Sequence, residues 1–343
     1  MKVLIINTAV PFVRGGAELL ADELERQLNA TAGVEAEQLR IPFAWVPTER
    51  LIDEMLIARA LRLYNVDRVI ALKFPAYLVP HHDKVLWLLH QFRQAYDLGD
   101  AGQGLGDDGR EGEIKGAIRH ADDACFADCK AIYVNSPVTR ERLARYNRVA
   151  GEVLYPPLND AALFTGGEPG DYLFAGGRVA RGKRQHLLIE AMAKVPGALR
   201  LIIAGPPEDA AYAQELTDLA ARSGLAERIE LRLGFRPREE IAQLVNGARA
   251  CAYLPFDEDS LGYVTMEAFA AGKPVLTTTD SGGLLEMVGE ATGALAEPDA
   301  SSLADAIARL CEPAAARARG AAAKADWDAR GLTWDATIAR LLS

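Results

Sequence analysis

An acidic cluster is the first feature of this sequence whose residue types and spacing could do chemistry. Asp257, Glu258 and Asp259 form an Asp-x-Asp triplet, and Glu267 follows Asp259 by eight positions. Such a triplet can hold a divalent cation, because hard cations prefer carboxylate oxygens. Carboxylates can also bind sugar hydroxyls without a metal, or stabilise a helix dipole. For Asp257 and Glu258 we adopt the plainest interpretation, a solvated loop.

The residues around Asp259 predict a strand, a turn and then a helix that begins at Tyr263. The backbone amides from Leu261 to Val264 would lie in the unpaired first turn of that helix, where free N–H groups favour an anion such as a phosphate. Gly262 has no side chain and leaves room for a ligand against the backbone. The turn is therefore predicted to bind a ligand that carries both phosphate and hydroxyl groups.

A basic turn follows another predicted strand, in the segment AGGRVARGKRQHLL. It contains four cations, Arg178, Arg181, Lys183 and Arg184. Arginine binds phosphate through forked hydrogen bonds and lysine as a point charge, so the group suits a diphosphate. The alternative is a solvated basic turn, since exposed charge costs little. The segment has no Walker pattern, so hydrolysis of ATP is not indicated.

A pair of glycines, Gly15 and Gly16, stands directly before a predicted helix near the amino terminus. Two glycines allow the backbone to approach a ligand closely, and a helix N-terminus offers free N–H groups to an anion. The alternative is a plain strand-to-helix turn. The pair is not a complete G-x-G-x-x-G, which counts against ordinary dinucleotide binding.

Short apolar runs alternate with helical periodicity along the whole chain, which predicts two doubly wound parallel sheets. Predicted strands lie in KVLIIN, VEAEQL, DRVIAL, KVLWLLH and AIYVNS, and then in DYLFAGG, LRLIIAG, RIELRLG, ARACAYLP and KPVLTT. Predicted helices include Thr48–Asn65, Gln185–Lys194, Ala211–Ser223, Arg238–Asn246 and Tyr263–Ala271. The fold class is α/β, with two Rossmann-like domains facing a cleft.

Composition shifts mark the expected domain boundaries. A Pro- and Gly-rich linker between Pro156 and Gly170 separates an N-terminal domain, 1–160, from a C-terminal domain, 161–325. Residues 326–343 predict an amphipathic helix that packs back on the N-terminal domain. The segment Gln94–Gly116 is rich in Gly and Asp and predicts either a mobile functional loop or a tolerated surface insertion.

Bulk composition excludes several classes of protein. The 343 residues are 50% hydrophobic and 25% charged, which is an ordinary composition for a globular chain of about two domains. The net charge of −10 counts against nucleic acid as a partner. The sequence contains no run of 18 apolar residues, the length that a membrane-spanning helix needs. Peripheral contact with a membrane stays open, because net charge does not describe how charge is distributed.

The four cysteines, Cys125, Cys129, Cys251 and Cys311, lack the nearby histidines or second pair of a zinc site. They predict reduced, mostly buried thiols in a cytosolic protein, where disulfides are rare. The start of the chain lacks the cleavage pattern of a signal peptide and is better interpreted as a strand.

Several motifs together resemble glycosyltransferase family 4, also called glycosyltransferase group 1, whose members have the GT-B fold. The stretch DSLGYVTMEAFAAGKPVLTTTDSGGLLEMV resembles the family's donor-site signature, with two acids eight positions apart. A Gly-x-Pro-Val strand follows, and then Gly282, Gly283 and Glu286. The basic turn resembles a second landmark of the family, and Gly15-Gly16 matches its first-domain glycine loop. The chain departs from the pattern at Asp259, where the family usually has Glu, so the pose or identity of the donor sugar is in question.

This resemblance implies a retaining hexosyltransferase that takes its sugar from a nucleoside-diphosphate sugar. The implied donor-binding residues are Gly15, Gly16, Arg178, Lys183, Phe235, Arg236, Asp259, Ser260, Leu261, Gly262, Tyr263, Val264 and Glu267. Among these, Glu267 would hold the ribose hydroxyls, and Arg178 with Lys183 would stabilise the departing diphosphate. Asp259 would orient the donor sugar. The residues Phe235 and Arg236 would lie near the base.

The resemblance also implies a front-face mechanism in which the leaving phosphate takes the proton of the acceptor. His90, at the end of a strand, would hydrogen-bond the donor sugar, although a structural histidine is the alternative. The acceptor would be a glycan or a lipid-linked saccharide bound by the N-terminal domain. We expect no cofactor and no metal, because cations and helix amides can neutralise the diphosphate.

Two other functions remain open on the sequence. One is a sugar-nucleotide epimerase or hydrolase on the same fold, which would consume a nucleotide sugar without an acceptor. The other is a non-catalytic scaffold that binds a sugar nucleotide, which only the departure at Asp259 favours. The nucleotide could be UDP or GDP, since the sequence does not define the pocket around the base.

Overall fold

The computed structural model describes all 343 residues and divides into two compact units. The N-terminal unit comprises Met1–Pro157 together with Leu332–Ser343, and the C-terminal unit comprises Leu158–Gly331. Each unit is an α/β structure built on one six-stranded sheet in which all paired strands are parallel.

The sheet of the N-terminal unit has the strand order β2-β1-β3-β4-β5-β6. Its strands are β1 (Lys2–Ala9), β2 (Glu35–Pro42), β3 (Arg68–Lys73), β4 (Lys84–His90), β5 (Ala131–Val134) and β6 (Glu152–Val153). Strands β3 and β4 are buried along almost their whole length. This explains their continuous apolar runs, because helices cover both faces of a parallel sheet.

The helices of this unit follow the strands in βα alternation. They are α1 (Gly16–Ala30), α2 (Leu51–Ala60), α3 (Asp97–Asp100), α4 (Gly109–Ala127) and α5 (Pro137–Asn147). Helix α5 begins at Pro137 because Ser136 caps the amide of Thr139 and proline suits the first helical position.

The sheet of the C-terminal unit has the order β12-β11-β10-β7-β8-β9. Its strands are β7 (Tyr172–Gly176), β8 (Arg200–Gly205), β9 (Ile229–Leu233), β10 (Ala250–Ala252), β11 (Val275–Thr278) and β12 (Gly293–Ala296). Its helices are α6 (Gln185–Met192), α7 (Ala210–Arg222), α8 (Arg238–Gly247), α9 (Tyr263–Ala270), α10 (Ala300–Leu310) and α11 (Pro313–Arg330). Because the strands are parallel, the loops after β7, β9, β10 and β11 all leave from one edge of this sheet.

Short 3₁₀ turns occupy several of the connections in both units. They lie at Thr48–Arg50, Ala76–Leu78, Arg93–Ala95, Ala161–Leu163, Arg181–Lys183 and Gly283–Glu286.

The last helix, α12 (Trp334–Leu342), belongs to the N-terminal unit. Its Trp334 packs edge-on against Trp87 of β4, with ring centroids 6.4 Å apart. The guanidinium of Arg68 donates to the carbonyl oxygens of Leu341 at 3.1 Å and Ser343 at 3.0 Å. The tail is two helices rather than one, because Gly331 ends α11 with a left-handed φ of +58°.

Two other predicted elements differ from the structure, and two strands were not predicted. The helix predicted over Thr48–Asn65 ends at Ala60, because Leu61 turns to an extended conformation. The predicted loop Gln94–Gly116 contains α3 and the first two turns of α4. The sequence analysis did not predict the two-residue strand β6 or the strand β12, which is formed by GALA. No helix combines the length and the apolar character needed to cross a membrane.

Candidate functional site

The candidate site lies at the carboxyl edge of the C-terminal sheet, where parallel strands usually present their ligand-binding loops. The loop after β7 supplies the basic turn, and the loop after β9 leads into α8. The loop after β10 carries the acidic cluster and leads into α9. The loop after β11 packs under the acidic loop, since the amide of Gly283 donates to the carbonyl of Glu258 at 2.7 Å.

Glu267 lies in the second turn of α9 and is buried, with 5% of its surface exposed. One of its oxygens, Oε1, accepts a hydrogen bond from the guanidinium of Arg238, the first residue of α8. Burial raises the pKa of Glu267 above its usual value, and the positive charge of Arg238 opposes that rise. An acid this deeply buried needs such a partner to remain charged.

Lys183 and Glu258 form the second polar pair of the site. The Lys183 ammonium contacts Glu258 Oε2, and the hydroxyl of Tyr253 donates to the same oxygen at 3.1 Å. The ammonium also lies 5.1 Å from the centroid of the Tyr253 ring. The prediction that Glu258 belongs to a solvated loop is therefore wrong, because its carboxylate is partly buried between two hydrogen-bond donors.

The four cations of the basic turn do not converge on one point. Arg178 pairs with Glu208 at 3.2 Å, and Arg181 pairs with Glu215 on α7. Both of these pairs are largely exposed. Only Lys183 pairs with a carboxylate of the acidic cluster, so the expectation of a four-cation cluster does not hold.

Arg184, the fourth of these cations, has a structural role. Its guanidinium binds both oxygens of Asp280 at 2.8 Å and the carbonyls of Leu254 and Pro255 at 2.8 and 2.7 Å. The residue itself has a left-handed φ of +54°. Arg184 thereby ties the loops after β10 and β11 to the start of α6.

The turn before α9 has the predicted form. Asp259 is buried, with 7% of its surface exposed, and Ser260 accepts a hydrogen bond from the amide of Gly262 at 3.3 Å. Gly262 has a φ of +71°, and a Cβ atom there would meet the Tyr253 ring at 2.7 Å, so only glycine fits. The amides of Leu261 and Val264 donate no hydrogen bond within the chain. These two amides are available to an anion, whereas the amide of Gly262, which the sequence also predicts to be unpaired, is bound by Ser260. Tyr263 begins the helix.

The loop after β9 brings the other predicted neighbours of the donor to the same edge of the sheet. The aromatic ring of Phe235 is open to solvent, with 80% of the residue exposed. The side chain of Arg236 lies near Glu240, with 3.9 Å between the charged atoms. An exposed ring of this kind can stack on a flat ligand.

The glycine pair in the N-terminal unit lies at the start of α1. The amide of Gly15 is not free, because it donates to the Glu18 carboxylate at 2.8 Å. Glu18 also pairs with Lys73 at 3.1 Å. The amide of Gly16 has no acceptor within the chain. A cavity of about 540 Å³ lies beside this turn, and the fully exposed ring of Phe12 forms part of its wall.

His90 is the last residue of β4, at the carboxyl edge of the N-terminal sheet. Its Nδ1 lies 2.7 Å from the carbonyl oxygen of Gln91. Because a carbonyl only accepts, Nδ1 must carry the hydrogen, and Nε2 of the neutral ring keeps its lone pair.

The acids of the Asp-x-Asp triplet have separate environments. Asp257 has a φ of +46°, Glu258 turns towards Lys183, and Asp259 is buried. No three His, Cys, Asp or Glu side chains come together as a group that could hold a metal ion.

The residues that form this carboxyl edge of the sheet match a known protein family. Residues 166–326 match the family model described as glycosyl transferases group 1. The C-terminal unit belongs to the glycosyl transferases group 1 family. The basic turn, the loop before α9 and Glu267 all lie inside the matched range. The resemblance inferred from the sequence is therefore confirmed.

Curated relatives of this group 1 unit are glycosyltransferases by name. The chain is 32% identical over 199 residues to D-inositol 3-phosphate glycosyltransferase of Mycolicibacterium smegmatis, covering 56% of this chain and 44% of that protein. It is 29% identical over 229 residues to human alpha-1,3/1,6-mannosyltransferase ALG2, covering 58% and 54%. The chain spans about half the length of the curated relatives it matches.

Solved structures match the fold over both units. Sucrose-phosphate synthase from Thermosynechococcus elongatus has a TM-score of 0.77 at 21% identity, covering 99% of this chain and 97% of the other. Anabaena Alr3699/HepE in complex with UDP and glucose has a TM-score of 0.74 at 19% identity, covering 100% and 99%. This likeness confirms the GT-B fold predicted from the sequence.

Two residues of the group 1 unit shape the site but are not among those predicted from the sequence. Arg238 pairs with Glu267 from 29 positions away, and Glu258 pairs with Lys183 from 75 positions away. Arg238 is the first residue of a predicted helix and closely follows Phe235 and Arg236, which is a weak signal that it lies near the donor site. For Glu258 the sequence contains no such signal, because the adjacent Asp257 and Asp259 are acidic as well.

Proposed function

We propose that the protein is a retaining glycosyltransferase. It would move a hexose from a nucleoside-diphosphate sugar, without a metal, to a glycan or a lipid-linked saccharide. The observation that carries the proposal is the placement of Glu267, Lys183 and two free backbone amides at the start of α9 along one edge of a sheet in the group 1 unit. A carboxylate, a cation and free N–H groups complement the ribose and the diphosphate of such a donor.

The proposed donor contacts follow from these chemistries. Glu267 accepts hydrogen bonds from the ribose hydroxyls. The ammonium of Lys183 leaves Glu258 to meet the diphosphate, and Arg178 turns from its exposed pair with Glu208 to do the same. The amides of Leu261, Tyr263 and Val264 help to hold the phosphates and the sugar.

The remaining donor roles are also part of the proposal. Asp259 and the backbone of Ser260 and Gly262 orient the sugar. Phe235 and Arg236 lie against the base. Gly16, whose amide is free, contributes a phosphate contact, and Gly15 shapes the turn that presents it.

In the proposed reaction, the bond between the anomeric carbon and the β-phosphate oxygen breaks, and its electron pair stays on the phosphate. The acceptor oxygen forms the new bond on the same face of the sugar, so the anomeric configuration is retained. The proton of the acceptor hydroxyl passes to the departing phosphate oxygen. Cations and amides stabilise the negative charge that develops there. His90 accepts a hydrogen bond from a substrate hydroxyl at Nε2, the nitrogen that its bond to Gln91 leaves free.

The names of similar proteins support this class of donor. The Anabaena Alr3699/HepE structures hold UDP, UDP-glucose, or UDP with glucose. Curated relatives are described as a glycosyltransferase of D-inositol 3-phosphate and as a mannosyltransferase. These names favour a nucleotide-sugar donor and a hydroxyl acceptor.

Thermal stabilisation tests the donor site. A ligand that binds only the folded state raises the melting temperature by mass action. We expect UDP, GDP or their hexose conjugates to raise it, equally in EDTA, and Lys183→Ala to abolish the shift. Arg181→Ala is the matched control, since this neighbouring cation is paired with Glu215 and should leave the shift intact.

Turnover assays separate the proposal from its two alternatives. Release of nucleotide only when a saccharide acceptor is present supports a transferase. Consumption of the nucleotide sugar without any acceptor indicates a hydrolase or an epimerase. Binding without turnover indicates the scaffold, the function that Asp259 in place of Glu favours. Activity that EDTA removes and Mn²⁺ restores would contradict the metal-free donor site.

A further inference from the structure

Glu267 is held by one residue whose part in the reaction is not assigned. We propose that Arg238 is a positioning residue, which fixes the carboxyl group of Glu267 so that it binds the ribose hydroxyls of the nucleotide. This inference rests on the proposed function, because it concerns the same donor site. Arg238 itself would not touch the reacting atoms.

The guanidinium of Arg238 is fixed from several directions. Besides Glu267, it donates to the carbonyl oxygen of Asn159 at 3.1 Å and lies 3.7 Å from the carboxylate of Asp160. It also lies over the ring of Phe164, 4.7 Å from the centroid. Arginine in a stacked and hydrogen-bonded setting loses little further freedom when it binds a carboxylate. The pair therefore presents Glu267 in one orientation.

The hydrogen bonding of Glu267 leaves room for a ligand. Arg238 binds Oε1, and Oε2 accepts no hydrogen bond within the chain. A carboxylate can accept about four hydrogen bonds in all. The vicinal 2′ and 3′ hydroxyls of a ribose are two donors a short distance apart, which a single fixed carboxylate can bind together. A free oxygen on an otherwise anchored, buried acid fits that ligand.

The charge of Arg238 also affects the pH range in which Glu267 is ionised and can accept hydrogen bonds through both oxygens. Burial raises the pKa of this acid, and Arg238 is the group that lowers it. The other titratable groups that face it are Cys251 and Tyr253 on and after β10, and neither carries a positive charge. Without Arg238 the pKa of Glu267 must rise further. Glu267 would then take up a proton at a higher pH, and a protonated carboxyl loses acceptor capacity.

Two nucleotides that differ only in the ribose test this role. The probes are the nucleoside diphosphate that stabilises the wild-type protein and its 2′,3′-dideoxy analogue, titrated by calorimetry from pH 6 to pH 9. We expect Arg238→Gln to weaken binding of the ribose form on the order of tenfold, as expected when a buried charge loses its partner. Binding of the dideoxy form should stay unchanged. The weakening should be largest at pH 6, and Arg238→Lys should restore part of the affinity.

Controls guard against a purely structural effect. Glu267→Gln should abolish the preference for the ribose form. In that background Arg238→Gln should cause no further loss of preference. The matched control is Arg200→Gln, which removes an exposed arginine–aspartate pair of the same unit, at the opposite edge of the sheet. It should change neither affinity. In turnover, Arg238→Gln should raise KM more than it lowers kcat.

The outcomes separate this inference from the function on which it rests. Equal weakening of both probes, or none, in Arg238→Gln overturns the positioning role while nucleotide binding stands. A wild-type protein that binds both probes equally overturns the role of Glu267 and with it that of Arg238. If Arg238→Gln does not fold, Arg238→Lys provides the test. A lysine ammonium can neither stack on Phe164 nor form the two-pronged hydrogen bonds of a guanidinium. A ribose preference in Arg238→Lys equal to that of the wild type at every pH would therefore overturn the positioning role.

Discussion

Lys183 and Glu258 are paired in the structure although 75 positions separate them in the chain. The same carboxylate oxygen accepts a hydrogen bond from Tyr253, so both donors converge on Glu258. The cation proposed to meet the diphosphate is therefore already bound to an internal anion. On the proposed function, a donor phosphate would have to displace Glu258 from Lys183, and this competition would set part of the donor's affinity.

Removal of that internal competitor should strengthen nucleotide binding. Glu258→Gln keeps the size of the side chain but removes its charge, and with it the repulsion of a diphosphate. We expect the Kd for the bound nucleoside diphosphate to fall on the order of fivefold, which corresponds to about 1 kcal/mol. Isothermal titration at low salt measures the change. The control is Glu215→Gln, which releases Arg181 instead of Lys183 and should leave the Kd unaltered. Weaker nucleotide binding by Glu258→Gln would contradict competition between Glu258 and the diphosphate for Lys183.

A methyl group at Gly262 should destabilise the turn before α9. This residue has a φ of +71°, and its Cβ would lie 2.7 Å from the Tyr253 ring. Backbone strain and the clash together predict a loss of about 2–3 kcal/mol from the free energy of unfolding for Gly262→Ala. Calorimetry should show a lower melting temperature for the variant.

The matched control is Gly116→Ala in α4, where a Cβ has nothing within 4 Å and φ needs no glycine. Alanine favours a helix over glycine, so this variant should be as stable as the wild type or more so by up to about 1 kcal/mol. Equal destabilisation by both substitutions would show that the constraint at Gly262 is not local.

The Glu18–Lys73 pair should make the stability of the N-terminal unit depend on pH. Burial alone would raise the pKa of Glu18, but Lys73 and the amide of Gly15 outweigh it and hold the pKa below its usual value. Because the folded pKa is lowered, the stabilisation is present above about pH 4.3 and is lost as the pH falls further. Glu18→Gln should therefore lower the free energy of unfolding by about 1–2 kcal/mol at pH 7.

Urea denaturation from pH 3.5 to pH 7 measures this effect. The difference between wild type and Glu18→Gln should shrink below about pH 4.3, because the wild type then loses the ionised acid that the variant never had. Glu113→Gln removes an exposed pair with Arg110 and should change stability by less than about 0.5 kcal/mol at every pH. A difference that grows on acidification would have the wrong sign for a lowered pKa.

The terminal helix α12 should contribute strongly to the N-terminal unit through Trp334. This ring is 8% exposed and packs against Trp87, whereas Trp45 in the same unit is 47% exposed. Removal of a buried tryptophan costs about 3 kcal/mol or more, through lost burial and the cavity that remains. Trp334→Ala should lower the urea midpoint measured by circular dichroism. Trp45→Ala should leave it nearly unchanged, and similar midpoints for both variants would contradict the anchoring of α12.

Local sequence patterns predicted much of this fold, because the spacing of apolar residues and the length of apolar runs can be recognised within a few consecutive residues. The strands over KVLIIN, DRVIAL and LRLIIAG, and the helices over Gln185–Lys194 and Arg238–Asn246, lie where periodicity places them, with ends shifted by a few residues. The missed elements gave weak signals. Strand β6 has only two residues, and the helical turns within Gln94–Gly116 are rich in glycine, which disfavours a helix.

The sequence by itself determined the α/β class, the positions of the loops that follow the strands, and which residue types stand in them. It also placed Gly262 just before a predicted helix, and the structure shows that the turn there needs a glycine because φ is positive. These features depend on backbone preferences and on hydrophobic periodicity, which act over a few residues.

Only the tertiary structure decided which charged groups are partners. In the structure Lys183 pairs with Glu258, Arg184 with Asp280 and Arg238 with Glu267. The tertiary structure also placed the carboxylate of Glu258 between Lys183 and Tyr253, which the acidic triplet alone does not indicate. The physical reason is that a long charged side chain can reach several partners, and the one it takes depends on burial and on the packing of loops distant in sequence.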